Sequence, residues 1–395
     1  MNVAEERNTV KQNPRVLISG ASIAGPALAL WLTRYGFNVT IVEKAPEVRQ
    51  GGQAVDFKGV THRTVLERMG ILEDVRRARV VSSGDGILVN ADGRQIATMP
   101  AEFSGGEIEI ARGDVARILY QRTAASCEYL FGDSITALTE TAEGVEVNFE
   151  QSAPRVFDLV VGADGIHSNV RRLAFGPEAA YVRYLGHYYA LVDIGSEVKG
   201  EDLMYNEPGR MAATGGPKAP AFFVFASRPL QYKRDDVEGQ KKLLIDAYRG
   251  GAWKIPDLMQ QVQRAEGFYM DSVSRVTMDR YSKGRVVLLG DSAYGNTLGG
   301  FGTGLAIVGA YVLAGELHRA GGDYAAAYAQ YESKFRKYAK VSQQVNAGRL
   351  LAPSTRLGLY TRNRMFSVAP LFKGLMKLMD HFATDIKLDD YTGIA

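Results

Sequence analysis

The stretch RVLISGASIAGPALALWLTRYGFNVTIVE, residues 15–43, decides the fold. Arg15 to Ser19 is a short apolar run of the kind a buried strand needs, and Gly20-Ala21-Ser22-Ile23-Ala24-Gly25 turns it into a helix reaching to about Tyr35. Gly36 stops that helix, and Asn38 to Glu43 forms a second strand. The unit is β-α-β. Gly20 permits the tight turn, Gly25 lets helix and strand pack closely, and the free N–H groups of the helix start face a pyrophosphate. Glu43 follows at the distance where an acidic side chain accepts hydrogen bonds from a ribose. Ser22 stands where the pattern usually has its middle glycine.

Two later runs end in the same way. Phe157 to Val161 reads as a buried strand leading into Gly162-Ala-Asp164-Gly165-Ile-His-Ser-Asn-Val-Arg171, and Arg285 to Leu289 leads into Gly290-Asp291-Ser-Ala-Tyr294. Each places an aspartate just beyond the carboxyl end of a strand, where open α/β sheets bind ligands; alone, either could be a helix N-cap. Gly299 to Gly304 then feeds an apolar helix to about Leu317, so that Gly302, Thr303 and Gly304 offer N–H groups and partial positive charge to an anion. Between these elements, Tyr181 to Phe225 is rich in Tyr and Phe in loose alternation, which predicts an antiparallel sheet with an aromatic face, either core or pocket lining.

Composition narrows the functional classes. The chain has 395 residues, of which 46% are hydrophobic and 23% charged, the balance of a globular protein of two or three folding units. A single cysteine, Cys127, excludes an internal disulfide framework and a multi-cysteine metal site. HExxH, CxxC and G-x-S-x-G motifs are absent, so neither a zinc hydrolase nor a serine hydrolase is expected. The polar N-terminus carries no apolar targeting segment, and the longest apolar run, Leu305 to Gly315, is too short to span a bilayer; a cytoplasmic protein is expected. Net charge is +3, yet Tyr331 to Lys377 holds ten Lys/Arg and one acid. That basic stretch has no nucleic-acid-binding motif. Leu371, Leu375, Leu378, Met379 and Phe382 recur at helical spacing, predicting a C-terminal helix packed over the core rather than on a membrane.

The motif set, in this order, resembles the class A flavoprotein monooxygenases, the para-hydroxybenzoate hydroxylase family, over roughly residues 15–345. VRQGGQAVDF and EIARGD are similar to the tetracycline-inactivating branch and to polyketide-tailoring hydroxylases. The resemblance implies an α/β fold with a Rossmann-like FAD-binding domain (15–78, 104–176 and 282–345), an inserted antiparallel-sheet substrate domain (79–103 and 177–281) and a C-terminal helical segment (346–395). It implies non-covalent FAD held by Gly20, Ser22, Ala24 and Gly25, with Glu43 and Lys44 near the ribose, and Arg49 and Arg210 as nicotinamide-cofactor or pocket contacts. Asp56 would lie near the flavin, Arg112 at the phosphates, Asp164 in the motif shared by FAD and NADPH, Asp291 on the ribityl chain, and Gly302, Thr303 and Gly304 beside the ring. NADPH or NADH would be co-substrate, and O2 would oxygenate an aromatic or polyketide-like molecule through a flavin C4a-hydroperoxide, with antibiotic modification included. The chain would act as a monomer or homodimer. Two departures stand out: no proline follows Tyr294, and Leu191 falls where tetracycline-inactivating relatives have a glutamine. A dehydrogenase or reductase on the same fold, and a non-catalytic flavin- or drug-binding protein, are the alternative readings.

Overall fold

The computed structural model describes residues 13–48, 54–80, 85–99, 108–194, 202–215, 220–343, 345–367 and 387–391. Its organising element is a six-stranded sheet. Across it run Ser282–Lys283, Val286–Leu288, Leu159–Gly162, Arg15–Ser19, Asn38–Glu43 and Glu128–Phe131, all parallel except the edge hairpin Ser282–Lys283. The expected β-α-β unit is present, with its helix at Ala24–Arg34. Val16, Leu17 and Ile18 are fully buried, which explains why this strand is apolar on both faces: helices cover each side. One is Gly302–Arg319, buried without a break from Gly304 to Leu317 and packed against Ala24–Arg34, where Trp31 meets Tyr311 edge-on at 5.0 Å.

Strand order reverses beside Arg15–Ser19. The chain moves from that strand to Asn38–Glu43 on one side and later fills Leu159–Gly162 on the other, so the carboxyl ends of these neighbours flank a crevice at a topological switch point. The expected strand Phe157–Val161 differs in detail: Asp158 breaks it. Phe157 belongs to an antiparallel meander with Val145–Phe149, and Leu159 starts the parallel strand. The cause is local, since the Asp158 carboxylate turns back to accept the Arg15 N–H at 2.7 Å.

A second sheet has seven strands in the order Phe268–Val276, Val182–Val192, Ala221–Ala226, Arg210–Ala213, Leu203–Glu207, Gly86–Val89 and Gln95–Met99. Only the pair Leu203–Glu207 and Gly86–Val89 is parallel. Alternation sorts its residues onto two faces. Tyr188, Tyr205, Phe223 and Phe225 pack under the helices Val237–Ala247 and Ile255–Arg264, so the aromatic face is core. The opposite face carries Leu88, Met99, Met204, Met211 and Val224 and meets Ala347, Leu351 and Phe366. Residues 387–391 return to the first layer, where Tyr391 is buried over Gly315 and Asp389 pairs with Lys334 and Arg319. Part of the basic excess is thus held in internal ion pairs. The expected helix at 371–382 lies outside the described residues.

Candidate functional site

The first glycine turn is fixed by backbone. Gly20 has φ +109°, donates to Val42 O at 2.8 Å, and a Cβ there would lie 2.4 Å from Ala163 O. At Gly25 a Cβ would stand 2.0 Å from Gly20 O. No side chain caps the helix that follows. Glu43 closes the turn from the neighbouring strand, accepting the Ala21 N–H at 2.8 Å and the Ala45 N–H at 2.9 Å. Its carboxylate therefore shapes the turn from below, at the same strand end where a ribose would be received. Ser22 Oγ accepts from Arg112 Nε at 3.3 Å. Arg112 is carried there by the two-stranded ribbon Ala54–Phe57 and Ile108–Ala111, which also holds Asp56 opposite Glu109.

The two aspartates after strands differ in role. Asp164 binds its own neighbourhood together: it accepts from Ser168 Oγ, from Ser292 Oγ at 3.1 Å, from Val170 N at 3.0 Å and from Ser19 Oγ at 3.4 Å. Ser168, not Asp164, is the N-cap of Asn169–Ala174, accepting the Arg171 N–H at 3.0 Å. Fully buried Arg171 ties the same loop to Ser292 O at 2.8 Å and to Ile166 O at 2.6 Å. Asp291, by contrast, lines a narrow crevice with Asn296, Gly299, Phe301 and Gly302. Burial pushes its carboxyl above the usual carboxylate range, while the Arg112 charge pulls the other way.

The second glycine turn starts the helix Gly302–Arg319. No side chain caps it, and the N–H groups of Gly302, Thr303 and Gly304 meet no acceptor among the described residues. Against its first turn lies His62, 2% exposed: a Cβ on Gly304 would be 2.1 Å from the His62 ring. His62 Nδ1 accepts the Lys58 N–H at 3.0 Å, and Nε2 is buried without a partner among the described residues. Burial, with the Lys58 charge second, lowers the imidazole pKa to about 4. Lys58 itself is buried, its ammonium 5.8 Å from the Phe301 ring centroid.

Other expected positions fall around or away from this crevice. Ala24 opens the first helix, close to Gly290, and Lys44 is exposed past the second strand. Arg49 lies outside the described residues. Arg210 is occupied at the far side of the second sheet, donating to Ala247 O at 3.1 Å and pairing with Glu207 at 2.5 Å. The Tyr294 ring turns into the core among Tyr281, Tyr331 and Phe335, over Gly309. Leu191 is part-buried next to Phe222 on the apolar sheet face. His167, which the motif reading passed over, joins the two layers through Glu178 and Asp271, each at 3.0 Å. Burial opposes its protonation, and the Asp271 and Glu178 contacts outweigh that to raise its pKa. A surface hollow of about 480 Å³ lies between Asp74, Arg77, Arg117 and Arg122. Its walls are ion-paired charges and it contains no motif residue.

FAD fits these features. Two uncapped helix starts suit its phosphates and the acceptor-rich edge of its ring, the Gly20 and Gly25 cradle is closed to any Cβ, and a buried donor at His62 has no acceptor among the described residues. The profile of the family described as FAD binding domain matches residues 13–341. An uncharacterized protein of Mycobacterium tuberculosis (strain H37Rv) is 39% identical over 83% of this chain and 91% of its own. A flavin-dependent monooxygenase of Legionella longbeachae is 33% identical over 85% of this chain and 88% of its own. The crystal structure of tetracycline destructase Tet(55) superposes with a TM-score of 0.81 at 31% identity, covering 97% of this chain and all of that one. The chain belongs to the FAD-binding-domain family of flavin-dependent monooxygenases.

Proposed function

We propose that the protein uses NADPH or NADH and O2 to hydroxylate an aromatic or polycyclic, polyketide-like small molecule, with tetracycline-like compounds as the first candidates. The observation that carries this reading is the uncapped start of Gly302–Arg319, preceded by a loop whose Leu298 packs against an apolar sheet face. FAD supplies the redox chemistry when bound, taking electrons from the nicotinamide and passing them to O2. The protein's residues do the rest. Gly20, Ser22 and Gly25 admit the pyrophosphate, with Arg112 beside Ser22 neutralising it. Glu43 and Asp291 stand at the two strand ends where hydroxyl-bearing parts of the cofactor would be received. Leu298, from the second glycine loop, packs against the face of Met204, Met211 and Val224, which would exclude water from the reacting oxygen.

The likeness to a tetracycline destructase favours a fused-ring substrate, and Leu191 leaves one position of the pocket face apolar. The test is NADPH oxidation under 18O2 with a panel of phenols and tetracyclines. A substrate should accelerate oxidation and emerge heavier by one labelled oxygen atom. Complete recovery of O2 as hydrogen peroxide across the panel would instead make the protein a reductase.

A further inference from the structure

His62 has a role that the motif reading does not assign. A backbone amide can only donate, so the Lys58 N–H at 3.0 Å fixes Nδ1 as the acceptor and places the ring proton on Nε2. That Nε2–H is buried with no acceptor among the described residues, a condition that is costly in a folded protein. The imidazole packs with its Cε1, Nε2 and Nδ1 side against Gly304 and has the Phe57 ring edge-on at 6.4 Å. It therefore sits against the first turn of Gly302–Arg319, where three backbone N–H groups also lack acceptors. Donors without acceptors, gathered at the positive end of an 18-residue helix, form a site for a group rich in acceptors.

We propose that His62, through Nε2–H, donates to the acceptor edge of the bound flavin ring, beside the N–H groups of the Gly302–Arg319 start, and stabilises its anionic reduced form. This rests on the FAD reading above. The donor suits that task because it carries no formal charge: with the imidazole pKa near 4, the ring stays neutral at physiological pH. It strengthens an interaction that grows when the ring gains electrons and adds little to binding of the oxidised, neutral ring. Gly304 is the matching requirement, since a side chain there would displace the imidazole.

The test compares wild type with His62→Gln and His62→Leu, reading FAD affinity by fluorescence quenching and the two-electron midpoint potential by dye equilibration. For His62→Leu, preference for reduced over oxidised flavin should fall about tenfold, a potential more negative by about 30 mV. His62→Gln, which keeps an N–H donor, should recover most of it. Independently of any variant, 15N-labelled histidine in the wild type should show one ring protonated on Nε2, silent to titration between pH 5 and 8, whose Nε2 resonance moves on adding FAD. An unchanged potential in FAD-loaded His62→Leu, or an Nε2 resonance indifferent to FAD, would overturn the role of His62 alone. Failure of wild type to bind FAD would overturn the reading on which it rests.

Discussion

The two glycine-rich helix starts look alike in sequence and are built on different constraints. At Gly20 and Gly25 the missing Cβ is demanded by main chain: Ala163 O and Gly20 O occupy the space, and Glu43 accepts the turn's own Ala21 N–H. At Gly300 a Cβ would meet nothing within 4 Å, so that its φ of +81° alone asks for glycine, and at Gly304 the three atoms nearest a Cβ all belong to the His62 ring. That backbone constraint comes from the turn itself and from the end of the adjacent strand Leu159–Gly162. A side-chain constraint depends on a residue brought in from the helix Gly59–Met69. The first turn is therefore rigid by construction, whereas the second is specific to the partner this chain happens to place there.

The sharpest challenge to that contrast is Gly25→Ala. Neither Gly20 O nor the strand beneath it can retreat without breaking the Arg15–Ser19 ladder, so the variant should lose roughly 3 kcal/mol of stability and all measurable FAD. A soluble Gly25→Ala protein with normal melting temperature and flavin content would remove the distinction between the turns.

Gly304→Ala should cost less, about 1 to 2 kcal/mol, because an imidazole can shift where a carbonyl cannot. The informative experiment is the double-mutant cycle with His62→Ala. Once the ring is gone, alanine at 304 should become neutral or stabilising, since it is the better helix former by up to about 1 kcal/mol. Additive losses would mean that something other than His62 requires the glycine.

The smallest effect expected is at Asp291, and it depends on pH. Its carboxyl is raised in the folded state by burial, so folding binds its proton more tightly than the unfolded chain does. The stability this gives is complete below the unfolded carboxylate pKa and is lost as pH rises through the folded value. Asp291→Asn should therefore melt at a slightly higher temperature than wild type near pH 7, with the gap closing below pH ~4. The same substitution should weaken FAD retention if the carboxylate receives the cofactor's hydroxyls. A variant that is less stable at pH 7 would show that the carboxylate is already satisfied within the protein.

Sequence reading succeeded where the physics is local. The strands Arg15–Ser19 and Asn38–Glu43 and the helix starts at Ala24 and Gly302 follow from apolar runs bounded by glycines, and they occur as expected. The alternating Tyr and Phe run foretold the second sheet but not how its faces would be covered: Tyr188, Tyr205, Phe223 and Phe225 went under the helices, and the Leu and Met face, with Tyr189, met Ala347, Leu351 and Phe366. What stayed hidden depends on distant pairs. Asp158 breaks a strand by bonding to Arg15, 143 positions away, and Asp164 gathers Ser19 and Ser292 from separate strand ends. Arg210 looked like a pocket cation, yet its partners Glu207 and Ala247 hold it on the other side of the sheet. His62 left one faint signal: it is one of only five histidines, four residues after the lysine whose amide fixes its tautomer.

The most direct test of the central claim, that the two turns bracket one FAD, is a crystal structure of the protein with FAD bound. The account predicts the pyrophosphate over Gly20–Gly25 with Arg112 beside it, and the ring against Gly302–Gly304 within hydrogen-bonding distance of His62 Nε2. Pyrophosphate density away from the first turn, or a ring distant from the second with His62 Nε2 still unpartnered, would contradict it.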